Sequence, residues 1–131
     1  MSKIIIASGP VIVKDNKVLL DQHGDTTFWK FCGGRAENLE SSLIEVAENR
    51  AKEELGINIE ILNPEPFITY TQKETPDGML DVILVHYLAK RIGEVKPGTE
   101  IREWSWLDIN NLPNNLAPNI LPVLKHFGFL K

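Results

Sequence analysis

Cysteine is nearly absent from this chain: Cys32 is the only one in 131 residues. No internal disulfide and no all-cysteine metal site can form, which suits a reducing cytoplasm, and a cytoplasmic location is the expectation. Long apolar runs are missing too. Met-Ser-Lys-Ile-Ile-Ile at the start is too short for the core of a signal peptide, and nothing approaches the ~20 residues that cross a bilayer. No membrane partner is therefore expected. Positive charge is not in excess, with 14 Lys and Arg against 18 Asp and Glu and a net charge of −4. That balance argues against a nucleic-acid binder, which would show a basic face. Repeats, low-complexity tracts and linkers are lacking, so one domain spanning 1–131 is expected. His23, His86 and His126 are scattered, without the spacing of a metal site.

What is present reads as alternating strands around one long helix. Lys3 to Lys14 is rich in Ile and Val, and Asp15-Asn16 followed by Lys17-Val18-Leu19-Leu20 reads as a hairpin. Phe28-Trp29-Lys30-Phe31 reads as a short aromatic strand leading into a turn at Gly33-Gly34. From Ser41 to Leu55 the period becomes helical, with Ile44, Ala47, Ala51 and Leu55 on one stripe. Gly56 is placed to end that helix. Further strands are expected at Ile57–Ile61, Pro66–Lys73, Met79–Lys90 and Ile101–Leu107, with a turn at Thr75-Pro76-Asp77-Gly78. Pro118 to Phe127 reads as a closing helix with Leu121, Leu124 and Phe127 toward the core. Strands precede, interrupt and follow the long helix, so the class is mixed α and β.

The chemistry concentrates between Gly33 and Ile57. A glycine turn lets backbone groups approach a ligand closely. Glu53 and Glu54 are adjacent on the helix, about 100° apart. The core stripe lies on another side, so both carboxylates are expected to face outward, toward the loop. Hard Mg²⁺ commonly takes one or two carboxylates together with substrate phosphates. The bland alternative is a solvated helix face, since Lys-Glu-Glu-Leu is a common helical string. Arg50 has two readings that follow from the same geometry. It can pair with Glu53 or Glu54 at i+3 or i+4, or it can present a planar fork to a phosphate.

The stretch Gly34 to Ile57 resembles the Nudix box, G-x5-E-x7-R-E-U-x-E-E-x-G-U with U aliphatic. Gly34 and Glu40 match its first half, and Ala51-Lys52-Glu53-Glu54-Leu55-Gly56-Ile57 matches its last seven positions. Trp29-Lys30-Phe31-Cys32-Gly33-Gly34 before the box is similar to many family members. So is Glu103-Trp104-Ser105-Trp106-Leu107-Asp108 with Leu112-Pro113 after it, so the resemblance covers nearly the whole chain. It implies an α/β/α sandwich around a mixed β-sheet. The implied activity is Mg²⁺- or Mn²⁺-dependent hydrolysis of a small-molecule nucleoside diphosphate derivative. The metal set it implies is Glu53, Glu54 and the Gly34 carbonyl. Glu53, Glu54 and Glu100 are candidate general bases, and Arg50, Arg35 and Tyr70 candidate substrate contacts. Glu100 enters because the family often supplies a further acidic group from such a loop, though loop glutamates are usually just solvated. A homodimer is left open.

Two departures from the box stand out. Eight residues, not seven, separate Glu40 from the Arg-Glu position, which places an extra residue near Glu40–Ser42. The Arg-Glu pair itself is replaced by Asn49-Arg50. On a regular helix Glu45 and Glu48 point well away from the Glu53–Glu54 face, so neither substitutes for the missing glutamate. Arg50 would oppose a cation, at roughly 3 kcal/mol per unit charge at ~6 Å and an effective dielectric of ~20. The alternative function is accordingly a nucleotide-binding or protein-interaction domain that does not hydrolyse. Cys32 stands where many relatives carry proline and reads as buried and inert. Aromatics such as Phe31 read as core, while Tyr70 is left open as a base-stacking surface.

Overall fold

The fold is described here from a computed structural model, for residues 3–36 and 42–130. Glu40, Ser41 and most of the loop that holds the extra residue lie outside the described residues. Strand β1 (Lys3–Lys14) and strand β2 (Lys17–His23) are joined by Asp15 and Asn16. Both turn residues have positive φ, 53° and 62°. That is the twist a two-residue hairpin needs, and Asx side chains tolerate it. The remaining elements are β3 (Gly34–Arg35), α1 (Leu43–Leu55), β4 (Asn58–Ile61), β5 (Phe67–Thr75), β6 (Gly78–Ile92), β7 (Ile101–Asp108) and α2 (Ile120–His126). A short 3₁₀ turn, Ile109–Asn111, follows β7.

Strands β1 and β6 pair in parallel over ten residue pairs, Lys3↔Leu80 to Ile12↔Ala89, and form the centre of the sheet. On its other edge β6 pairs antiparallel with β5 and then with β4. The far edge of β1 meets β3 at Ala7–Ser8 and β2 at Val13–Lys14, and β2 in turn carries β7. Both pairing senses are thus present, and the sheet is mixed.

Alternation along the strands divides the core in two. Ile12, Leu19, Val85, Tyr87 and Ala89 pack with Ala47, Ala51 and Leu55 of α1. Their neighbours Val11, Val18 and Leu20 pack with Ile120, Val123 and Leu124 of α2. One helix covers each face, giving an α/β/α sandwich.

Helix α1 begins where a capping side chain is available. Ser42 accepts a hydrogen bond from the Glu45 backbone N–H at 3.1 Å, which satisfies one free donor of the first turn. Gly56 ends it in the left-handed region at φ 67°. Its last carbonyls are also engaged: Lys96 N donates to Leu55 O at 2.7 Å, and Gly98 N to Glu54 O at 2.8 Å.

Three readings of the sequence need correction. Phe28–Phe31 is not a strand. Trp29 and Lys30 make only single bridges, to Leu116 and Asp21, because the segment crosses between two partners instead of running along one. In α2 the buried residues are Ile120, Val123 and Leu124, while Leu121 is 50% exposed. The helix starts at Ile120, and Leu121 falls one residue off its 3.6-period stripe. In α1, Glu54 is buried with Val46, Ala47, Ala51 and Leu55, so the two acidic neighbours do not both face outward.

The glycine turn is pressed directly onto β1. A Cβ on Gly9 would lie 2.0 Å from the Cys32 carbonyl oxygen, and one on Gly33 2.7 Å from the Ser8 carbonyl oxygen. Both obstacles are backbone, which cannot swing aside. Gly9→Ala is therefore expected to lower unfolding free energy by at least about 1–3 kcal/mol, the usual range for overpacking. Chemical denaturation of both proteins checks this, and an unchanged midpoint would show that the contact is looser than described.

Candidate active site

The turn at Gly33–Gly34 stands between two features. On one side lies a cleft of about 420 Å³ whose walls include Phe28, Lys30, Thr71, Lys73, His86 and Asn119. Gly33 and Gly34 line the same cleft. On the other side lies Glu54 of α1, whose carboxylate Oε1 accepts a hydrogen bond from the Gly33 N–H at 3.3 Å. The turn thus places a buried acid directly behind the cleft wall.

Glu54 has company from β2. His23 Nε2 lies 2.9 Å from Glu54 Oε1 and 3.3 Å from Asp21 Oδ1. Asp21 is fully buried and Glu54 nearly so, while the His23 side chain is 24% exposed. Strand alternation sets Leu19, Asp21 and His23 on the face that α1 covers. A register shift between β2 and β7 falls at Gln22/His23, where Arg102 is the unpaired residue of β7. The three histidines show no metal-like spacing among themselves, but a sequence signal exists nonetheless. That signal is Asp-x-His at the end of an apolar strand, with a carboxylate at a position that alternation buries. The two carboxylates raise the His23 pKa to about 9, the Asp21 contact contributing most and Glu54 next.

Asp21 also tests whether a cation fits here. Neither of its carboxylate oxygens has a hydrogen-bond partner among the described residues. A buried carboxylate without donors is strongly disfavoured unless a positive charge compensates it, and the adjacent His23 can do so either as imidazolium or as a co-ligand of a cation. The donor set of two carboxylates and an imidazole is one that divalent ions accept. The residues therefore fit a cation.

The two adjacent glutamates take different roles. Glu53 is 59% exposed at its side chain and pairs with Arg50, Nη1 to Oε2, at 3.0 Å. Arg50 also donates from Nη2 to the Arg35 carbonyl at 3.0 Å, and its Cδ and Nε pack against Gly34. The arginine thus braces the glycine turn to α1 and lies beside Glu53. Two of the five N–H groups of the guanidinium are used in these bonds. Arg35 itself is exposed, beside Lys3 to Ile6 rather than in the cleft lining.

Glu100 is exposed in the loop before β7. Its carbonyl accepts from Gly24 N at 2.9 Å, directly after His23, and its carboxylate hangs over Gly98. The loop therefore brings Glu100 toward the end of α1 that bears Glu53 and Glu54. Tyr70 is not brought to the cleft. Thr71 and Lys73 of β5 line it, so alternation turns Tyr70 to the opposite face. There its hydroxyl donates to Asp81 Oδ1 at 2.5 Å. Cys32 is buried, and that burial pushes its thiol well above the ordinary range. His86, which sequence reasoning passed over, lines the cleft against Phe31 with ring centroids 4.9 Å apart. Burial, and next the charge of Lys30, lower its pKa to about 4.

The chain matches the NUDIX domain over residues 5–127. It belongs to that family. Its fold is similar to that of a MutT NUDIX hydrolase from Burkholderia pseudomallei, with 21% identity, 94% of this chain and 97% of that chain covered, and a TM-score of 0.76. The E. coli ORF135 protein is similar at 25% identity, with 96% and 89% covered and a TM-score of 0.70. An ADP-ribose pyrophosphatase from Streptococcus suis is similar at 22% identity, with 92% and 87% covered and a TM-score of 0.68. No curated protein matches the chain. No helix among the described residues is long and apolar enough to cross a membrane.

Proposed function

We propose that this chain is a divalent-cation-dependent hydrolase that cleaves the diphosphate bond of nucleoside diphosphate derivatives. The observation that carries this reading is the position of Glu54. Its carboxylate is buried under the same Gly33–Gly34 turn that walls the cleft. An anion lying along the turn would meet an acid-bound cation there.

Glu54, with Glu53 and the Gly34 carbonyl oxygen, would hold Mg²⁺ or Mn²⁺. When bound, such an ion polarises the phosphoryl group and makes water a better nucleophile. The apolar cleft wall with Phe28 would seat the nucleoside, while Lys30 and Lys73 raise the local concentration of the anionic diphosphate. Arg50 and Arg35 would contact the phosphates, Arg50 with guanidinium donors left free by the brace. Glu100, Glu53 or Glu54 would take the proton of the attacking water. The proposed setting is the cytoplasm, with a small-molecule nucleotide as partner and neither nucleic acid nor membrane; a homodimer stays open.

The fold shared with the Streptococcus suis protein named an ADP-ribose pyrophosphatase supports placing ADP-ribose first in an assay panel. Nucleotide sugars, dinucleoside polyphosphates and nucleoside triphosphates complete it, each with Mg²⁺ and with Mn²⁺. Turnover above background on at least one is expected. Silence across the whole panel would overturn the proposal.

Arg50 favours a second reading, a domain that binds a nucleotide or a protein partner without hydrolysing. Its guanidinium is fixed beside Glu53, where it opposes a dication. Arg50→Glu removes that charge and adds a carboxylate, so Mg²⁺ affinity is expected to rise by about tenfold or more. Calorimetry measures this. If turnover appears only in Arg50→Glu, the second reading holds and the native chain is a binder.

A further inference from the structure

We infer that Asp21, His23 and Glu54 form an inner binding site for a first-row divalent cation of the Mn²⁺ or Zn²⁺ class. As the identity of the hydrolase's cation this rests on the proposed function, whereas the binding site itself stands on geometry. Asp21 and His23 come from β2, outside the segment that carries the glycine turn and α1, and they would supply ligands that Asn49 and Arg50 do not.

Four observations carry it. One donor atom from each residue lies within 4.8 Å of the other two. The His23–Glu54 and His23–Asp21 separations are 2.9 Å and 3.3 Å. A cation with bonds of about 2.1 Å holds neighbouring ligands about 3.0 Å apart in an octahedron and about 3.4 Å apart in a tetrahedron. The two separations at His23 are those of neighbouring ligands around an ion.

The directions agree as well as the distances. Although His23 Nε2 is close to both carboxylates, it makes no well-directed hydrogen bond among the described residues, and neither do the two Asp21 oxygens. Ligand lone pairs converge on an ion between them and not on one another, so short but misdirected contacts are what a cage shows. Asp21 is fully buried, which leaves water no direct access to those oxygens.

Charge balance points the same way. A protonated His23 would offset one of the two buried carboxylates, whereas a dication beside a neutral imidazole offsets both. Lys30 acts electrostatically on His23 but makes no ion pair with either carboxylate among the described residues. An imidazole in the set selects against Mg²⁺, which prefers oxygen donors, and in favour of Mn²⁺ or Zn²⁺.

The test titrates the full chain with Mn²⁺, Zn²⁺ and Mg²⁺ by calorimetry, and records the nitrogen coupling of bound Mn²⁺ by pulsed electron paramagnetic resonance. Mn²⁺ is expected to bind at least about tenfold more tightly than Mg²⁺, with a ¹⁴N coupling that His23→Gln abolishes. Both His23→Gln and Asp21→Asn are expected to weaken Mn²⁺ at least tenfold. His23 is partly exposed, so its variant keeps the test decisive if Asp21→Asn disturbs folding, which thermal melts without metal would reveal. Absence of Mn²⁺ and Zn²⁺ binding overturns the inference. So does Mn²⁺ binding without nitrogen coupling, or with affinity unchanged in His23→Gln. Turnover of the nucleotide panel with Mg²⁺ is read separately, so the hydrolase reading can survive this result, and the cation site can survive the loss of that reading.

Discussion

Glu54→Gln is expected to lower turnover by at least about 10²-fold, with the loss in kcat. The side chain is nearly buried and has no room to be replaced by a neighbour. Glutamine keeps an oxygen that can accept from Gly33 N–H, so the turn stays in place. What disappears is the negative charge that would hold the cation against the repulsion of Arg50. Glu53→Gln is the instructive comparison. Glu53 is mostly exposed and screened by water, so its removal should cost activity less and alter stability by no more than about 0.5 kcal/mol. Steady-state kinetics on the best substrate of the panel, with melts of each variant, separates these outcomes. Equal losses for the two variants would show that the cation sits at the helix surface and not beneath the turn.

The second large effect is acid sensitivity through His86. Its folded pKa of about 4 lies below the ordinary histidine value of 6.5, because burial disfavours the charged ring. Between those values the unfolded chain binds a proton that the folded chain refuses. Stability therefore falls as pH drops from about 6.5 to about 4, by up to about 3 kcal/mol. That is a large share of the roughly 5–15 kcal/mol by which ordinary domains are stable. His86 Nδ1 has no hydrogen-bond partner among the described residues, so no acceptor there rewards protonation. His86→Gln removes the titration. It should cost packing at pH 7, but its stability gap to the native chain should narrow by about 3 kcal/mol at pH 4. Urea melts at the two pH values measure the gap, and a constant gap would mean that His86 takes up its proton inside the fold as readily as outside it.

Much of this architecture is legible in the residues. The Ile- and Val-rich run Lys3–Lys14 reads as a strand because a sheet covered on both faces needs apolar residues on each, and Ile57–Ile61 alternates as a half-buried strand does. The stripe Ala47–Ala51–Leu55 and the stop at Gly56 fix α1. Short elements were less legible. Phe28–Phe31 has the aromatic content of a strand but only single-residue partners, and partners are a tertiary matter. Leu121 looked inward because the start of α2 shifts the whole stripe by one residue.

The candidate site was half legible. Gly34, Glu53 and Glu54 stand in one contiguous stretch, and helix geometry alone says that the glutamates diverge by about 100°. Which one is buried depends on β2, which approaches α1 only through the fold. Asp21 and His23 belong to that approach, so a reading that looked for histidine pairs passed over them. Tyr70 shows the reverse problem. Its chemistry suits stacking on a base, but a single step of strand alternation assigns the cleft to Thr71 and Lys73 instead.

The most direct measurement is the anomalous density of crystals soaked with Mn²⁺ and a non-hydrolysable nucleoside diphosphate analogue. A Mn²⁺ peak is expected about 2.2 Å from a Glu54 carboxylate oxygen, with the diphosphate laid along Gly33–Gly34. Mn²⁺ found only at surface acids, with the analogue bound away from that turn, would contradict that placement.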